Sequence, residues 1–137
     1  MQIYWDYILD MLEAFKARGN QSHFTFSHLS TLSHQEMYLV AYQDPPFHNF
    51  LERLFRGGHH ENSLIILYSD HALRFGSGLN TTANLYEQRL PFFYIRVPDS
   101  LSLGGLNASQ LREVVRANQH RLTSHLDVHA TMMHVLR

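Results

Sequence analysis

A chain of 137 residues carries about one domain of sequence, and at 45% hydrophobic and 17% charged it is apolar enough to build a core and too apolar to stay disordered. Lys and Arg number 11 against 12 Asp and Glu, so no positive field gathers phosphate backbones or acidic membranes, and nucleic acid is excluded as an expected partner. The absence of cysteine rules out disulfides, zinc ribbons and a thiol nucleophile, while 11 histidines are a store of metal ligands, or of charge that changes between about pH 5 and 8.

The opening stretch, MQIYWDYILDMLEAF, has no basic leader region and carries Asp6, Asp10 and Glu13, so it reads as neither signal peptide nor membrane span. It predicts an amphipathic helix over Tyr4 to Arg18, with Tyr4, Tyr7, Ile8, Met11, Leu12 and Phe15 inward and Gly19-Asn20 as the stop. His23 to His28 alternates polar and apolar residues and predicts a short strand. Ser30 to Gln43 mixes polar and apolar residues without a period and reads as a loop with one helical turn. Asp44-Pro45-Pro46 then starts a helix, with Asp44 as cap and proline where a missing N–H costs nothing. Its stripe is Phe47, Phe50, Leu51, Leu54 and Phe55, and Gly57-Gly58 ends it. The pair His59-His60 follows in a glycine-rich turn and is expected to face solvent.

Leu64 to Tyr68 is an unbroken apolar run, the habit of a strand buried on both faces in a parallel sheet covered by helices. It stops at Ser69-Asp70-His71. Ala72 to Gln88 has no clean period, contains Gly76, Gly78 and Asn80, and predicts a long loop in which Thr81 and Thr82 are ordinary polar residues. Leu90 to Val97, closed by Pro98, is the second strong strand. Asn107 caps a helix running to Gln119, and Thr123 or Ser124 caps the last one, with Asp127 in its first turn. The order α, β, loop, α, β, long loop, β, α, α makes an α/β layered domain without repeats or an interdomain linker.

Asp70 and His71 are the leading chemical candidates. In open α/β sheets ligands bind outside the C-terminal ends of strands, and a carboxylate beside an imidazole suits Zn²⁺ or Mn²⁺. An Asp that caps the next turn, with a His that follows it, is the other reading of the same two residues. Two adjacent ligands hold a metal weakly, since a useful site takes about four. His125 and His129 stand four apart, but Leu126 occupies the place where a zinc protease motif has Glu, and this reads as a packing helix.

The runs NSLIILYSDHALRFG, YEQRLPFFYIRVP and LTSHLDVHATMMHVL, with LSTLSH at Leu29 to His34 and DPPFHNFLERL at Asp44 to Leu54, resemble the sulfatase-like proteins of animals, a family of unknown function within the alkaline phosphatase superfamily. The resemblance implies a three-layer, sandwich-like α/β fold, part of a central sheet flanked by helices, with residues 1–137 as the C-terminal portion of a hydrolase domain. It implies a divalent metal ion (zinc, manganese or calcium) held by Asp70 and His71, His34 facing the anionic group of a sulfate or phosphate ester, and a secretory or extracellular location. Arg74, Glu87 and Pro91 also match family positions. The superfamily's glycine after the Asp-His pair is Ala72 here, the acid that usually follows the family's Leu-Ser-His is Gln35, and the superfamily segment that bears the nucleophile and the first metal carboxylate has no counterpart. The chain is therefore expected to be inactive alone, and to self-associate through an uncovered sheet edge. The alternatives are a truncated or degenerate copy that acts by binding, and a metal-binding or pH-responsive domain built on His59, His60, His125 and His129.

Overall fold

The structure, a computed structural model, describes residues 2–19, 21–34, 37–74 and 80–136. It is a mixed helix and strand chain that divides into two compact units, Met1–His59 with His71–Leu90, and His60–Asp70 with Pro91–Arg137.

The first unit is organised by two helices. Helix α1, Gln2–Ala17, and helix α2, Asp44–Arg56, meet through Trp5, whose ring centroid lies 5.1 Å from that of Phe47 and 4.8 Å from that of Phe50. Trp5, Ile8, Leu9, Phe50 and Leu54 are buried, each contributing about 1.5–3 kcal/mol by leaving water. The buried stripe of α1 is thus turned by about one residue from the expected one, since Tyr7 is 68% exposed and Trp5 takes its place. Helix α2 buries Phe50 and Leu54 and meets α1 and the 3₁₀ turn Met37–Gln43, while Phe55 of its expected stripe is 43% exposed. Asp44 lies in the first turn of α2 beyond Gln43, which holds the cap position.

Polar ties run along the same seam. Arg53 bonds the Asp6 carboxylate, and this bond, with one from Gln2 at 3.0 Å, holds that carboxyl below its ordinary range. Lys16 Nζ donates to the Gly57 carbonyl at 2.7 Å. His59 corrects the expectation of an exposed turn residue. Its side chain is 7% exposed and its Nε2 donates to Glu13 Oε1 at 2.9 Å. A Cβ at position 57 would come within 2.8 Å of that ring, so glycine is required there by close approach.

Contacts of Trp5 with Phe47, Asp6 with Arg53, and Lys16 with Gly57 ascend together, so α1 and α2 run in the same sense and the chain must travel back between them. Residues 21–28 make that return. His23 stacks on Phe15 at 4.3 Å and 4°, while Tyr4 bonds Ser27 and the His28 carbonyl. Eleven residues of helix rise about 16 Å, and five extended steps cover about the same distance. The predicted strand at His23 to His28 is therefore an extended strap beside a helix, with Phe24 and Phe26 more than half exposed. Alternation alone cannot distinguish the two, because a strand also needs a ladder neighbour.

Helix α3, Thr82–Arg89, corrects the long loop. Thr81 Oγ1 accepts from the Asn84 N–H at 3.2 Å as its cap, and Asn84 is its only buried residue, so the helix has no apolar stripe to read. Gly76 and Gly78 lie outside the described residues, as does Gln35.

In the second unit β1, Ile65–Tyr68, pairs with β2, Phe93–Arg96, in register Ile65↔Arg96 through Tyr68↔Phe93. The two are neighbours as expected, but the ladder is antiparallel and two-stranded among the described residues, with β1 half-buried throughout and Phe93 and Tyr94 exposed. An apolar run records the capacity to be covered on both faces, not the presence of the cover. Val97 and Pro98 end β2 in buried positions, and Arg112 of helix α4, Ala108–Asn118, bonds both the Val97 carbonyl (3.3 Å) and Asp99 (2.6 Å).

Asn107 caps α4 in a reciprocal capping box, its Oδ1 accepting from the Gln110 N–H and Gln110 Oε1 from its own N–H, both at 3.0 Å. Asn107→Ala is expected to cost about 1 kcal/mol, read as a lower midpoint in urea without a change in slope. Helix α5, His125–Val135, is capped by Ser124, whose N–H and hydroxyl both donate to Asp127 Oδ2, at 2.7 and 2.8 Å. These bonds hold the Asp127 carboxyl below its ordinary range. A carboxyl lowered by folding adds stability above its unfolded pKa and loses it as pH falls through the folded one. The α5 cap therefore weakens in acid, and Asp127→Asn should flatten the acid-side loss of helical circular dichroism.

Candidate functional site

The predicted ligands lie immediately beyond β1. Ser69 prolongs the ladder by one step, its N–H donating to the Phe92 carbonyl and its Oγ accepting from the Phe92 N–H, both at 3.1 Å. Asp70 follows in an exposed position, then half-buried His71. His71 Nδ1 lies 2.7 Å from the Ala72 carbonyl. A carbonyl only accepts, so Nδ1 carries a proton there, and the bond fixes the orientation of the ring. A carboxylate and an imidazole are ligand types of the right chemistry for a divalent cation. Among the described residues no three His, Asp or Glu side chains gather closely enough to hold one.

His34 lies on the exposed turn at residues 31–34, where its N–H donates to the Ser30 carbonyl at 3.0 Å. Arg74 and Glu87 are exposed, and Pro91 is half-buried.

Sequence reasoning missed the part played by His125. It stands at the start of α5, where its Nε2 donates to the Ser69 carbonyl at 2.9 Å and its ring lies 6.2 Å from that of Tyr68. Its Nε2 is thereby committed to the end of β1. The i, i+4 spacing signals a shared helix face but gives no sign of which strand that face meets. His129 itself lines a surface groove with Ala130, Met133 and His134.

A carboxylate–imidazole pair placed just past a strand, in a mixed helix and strand chain, is what this region amounts to. By sequence the chain belongs to the family described as protein of unknown function, DUF229, which it matches over residues 1–137. Searches of curated proteins and of solved structures give no match. No helix among the described residues is long and apolar enough to cross a membrane.

Proposed function

We propose that residues 1–137 are the C-terminal portion of a sulfatase-like, alkaline-phosphatase-type ester hydrolase domain, in which Asp70 and His71 ligate a zinc, manganese or calcium ion. The observation that carries this reading is a carboxylate and an imidazole directly after β1, the imidazole held by its Nδ1 bond to the Ala72 carbonyl. The resemblance of the chain's motifs to sulfatase-like proteins supports it, beside membership over residues 1–137 of a family whose function is unknown. The bound cation would supply charge neutralisation at a sulfuryl or phosphoryl oxygen. The Ala72 carbonyl fixes the orientation of the His71 ring, and His34 would donate to the anionic group of the ester. Further strands of a three-layer sandwich, or a second copy of the chain, would extend the β1–β2 ladder. The domain acts in the secretory pathway or outside the cell.

The departures from the family pattern at Ala72 and Gln35 favour a second reading, a non-catalytic member that acts by binding. Calorimetric titration with Mn²⁺ or Zn²⁺ tests the shared core of both. Asp70→Ala and His71→Ala should each weaken uptake by about 10–100-fold, while His125→Ala and His129→Ala leave it unchanged. Affinity that survives Asp70→Ala and falls with the two helix histidines would replace both readings by a histidine-based site.

A further inference from the structure

Three tripeptides have the form Asn-X-Ser/Thr with a middle residue other than proline, the acceptor signal for N-linked glycosylation, and two of them, Asn80-Thr81-Thr82 and Asn107-Ala108-Ser109, lie wholly within the described residues. The signal is short, so the structure must decide whether each can be used. Asn80 lies on an exposed turn before α3, and Thr82, the first residue of that helix, is exposed as well. Asn107 and Ser109 are likewise exposed at the start of α4. Buried Asn84, by contrast, precedes Leu85-Tyr86 and has no such signal.

We infer that Asn80 and Asn107 are N-glycosylated. In each, the side-chain Nδ2 bonds to the anomeric carbon of an oligosaccharide. The bond from that carbon to the diphosphate of a polyprenyl-diphosphate donor breaks, the lipid diphosphate leaves, and the amide nitrogen gives up one proton to base. At Asn107 the product is compatible with the fold. Its Oδ1 accepts from the Gln110 N–H at 3.0 Å, and the atom that takes the sugar is the other one, Nδ2, so the α4 cap persists after modification. At Asn80 the α3 cap is made by Thr81 and does not involve the modified side chain. Each glycan then covers the surface around one helix start and closes it to partner chains. A third tripeptide, Asn20-Gln21-Ser22, begins on a residue outside the described ones and adds nothing to this inference.

The test is peptide mapping of the natural protein, expressed from its complete coding sequence in eukaryotic cells, before and after treatment with an N-glycosidase. Peptides containing Asn80 and Asn107 should carry hexose-rich mass that the enzyme removes, leaving aspartate at both positions. Because Asn107→Gln would also disturb the helix cap, the informative variants change the hydroxyl. Thr82→Ala and Ser109→Ala should each abolish the glycan on their own asparagine, while Ser109→Thr retains it. Recovery of both asparagines unmodified from the natural protein would overturn the inference. So would a modification that persists in Thr82→Ala and Ser109→Ala.

Discussion

Replacing Trp5 with alanine should unfold the unit built on α1 and α2. Trp5 is 8% exposed and touches both Phe47 and Phe50, so the substitution loses the transfer free energy of an indole and leaves a cavity between two helices. Such truncations cost about 3–5 kcal/mol, and whole domains are stable by only about 5–15 kcal/mol. The neighbouring change Tyr7→Ala removes a side chain that is 68% exposed and should alter stability by no more than about 0.5 kcal/mol. Thermal melts followed by circular dichroism compare the two directly. Trp5 is also the single tryptophan of the chain, so in Tyr7→Ala its fluorescence follows this unit by itself. A Trp5→Ala protein that melts where the unsubstituted chain melts would remove the helix pair as the source of stability.

On the proposed reading, Asp70→Ala in the natural protein should lower turnover of an aryl sulfate or aryl phosphate by about 10²-fold or more. A metal's charge at a reacting oxygen is worth several kcal/mol, and each 1.36 kcal/mol is about tenfold in rate. The 137-residue chain assayed alone should hydrolyse neither ester above a buffer blank with Zn²⁺, Mn²⁺ or Ca²⁺ added. Turnover by this chain that Asp70→Ala abolishes would mean that a nucleophile lies within it. An Asp70→Ala natural protein with undiminished turnover would take the metal pair out of the reaction and leave the binding reading.

What the sequence determines by itself is chemistry that acts within a few residues. Asn107 before a helical period, Ser124 three residues before Asp127, and the prolines after Asp44 each mark a helix start, because a cap satisfies backbone groups at its own end of the chain. The apolar runs at Ile65–Tyr68 and Phe93–Arg96 are strands for the same local reason, and Asp70-His71 follows the first of them by covalent connection alone. Helix α3 escaped notice because its side chains face water except Asn84, which leaves no period to detect. Whatever depends on a partner distant in the chain is decided by tertiary structure. Trp5 rather than Tyr7 is buried because α2 approaches from that side. His59 is enclosed because Glu13 reaches it, and His125 closes on Ser69 because α5 brings it there. The run at His23 to His28 is a strap because its neighbour is α1, and the two strands are antiparallel because of the direction in which the chain returns. Periodicity records which faces a segment can bury, but only the packed neighbours determine which of them it does.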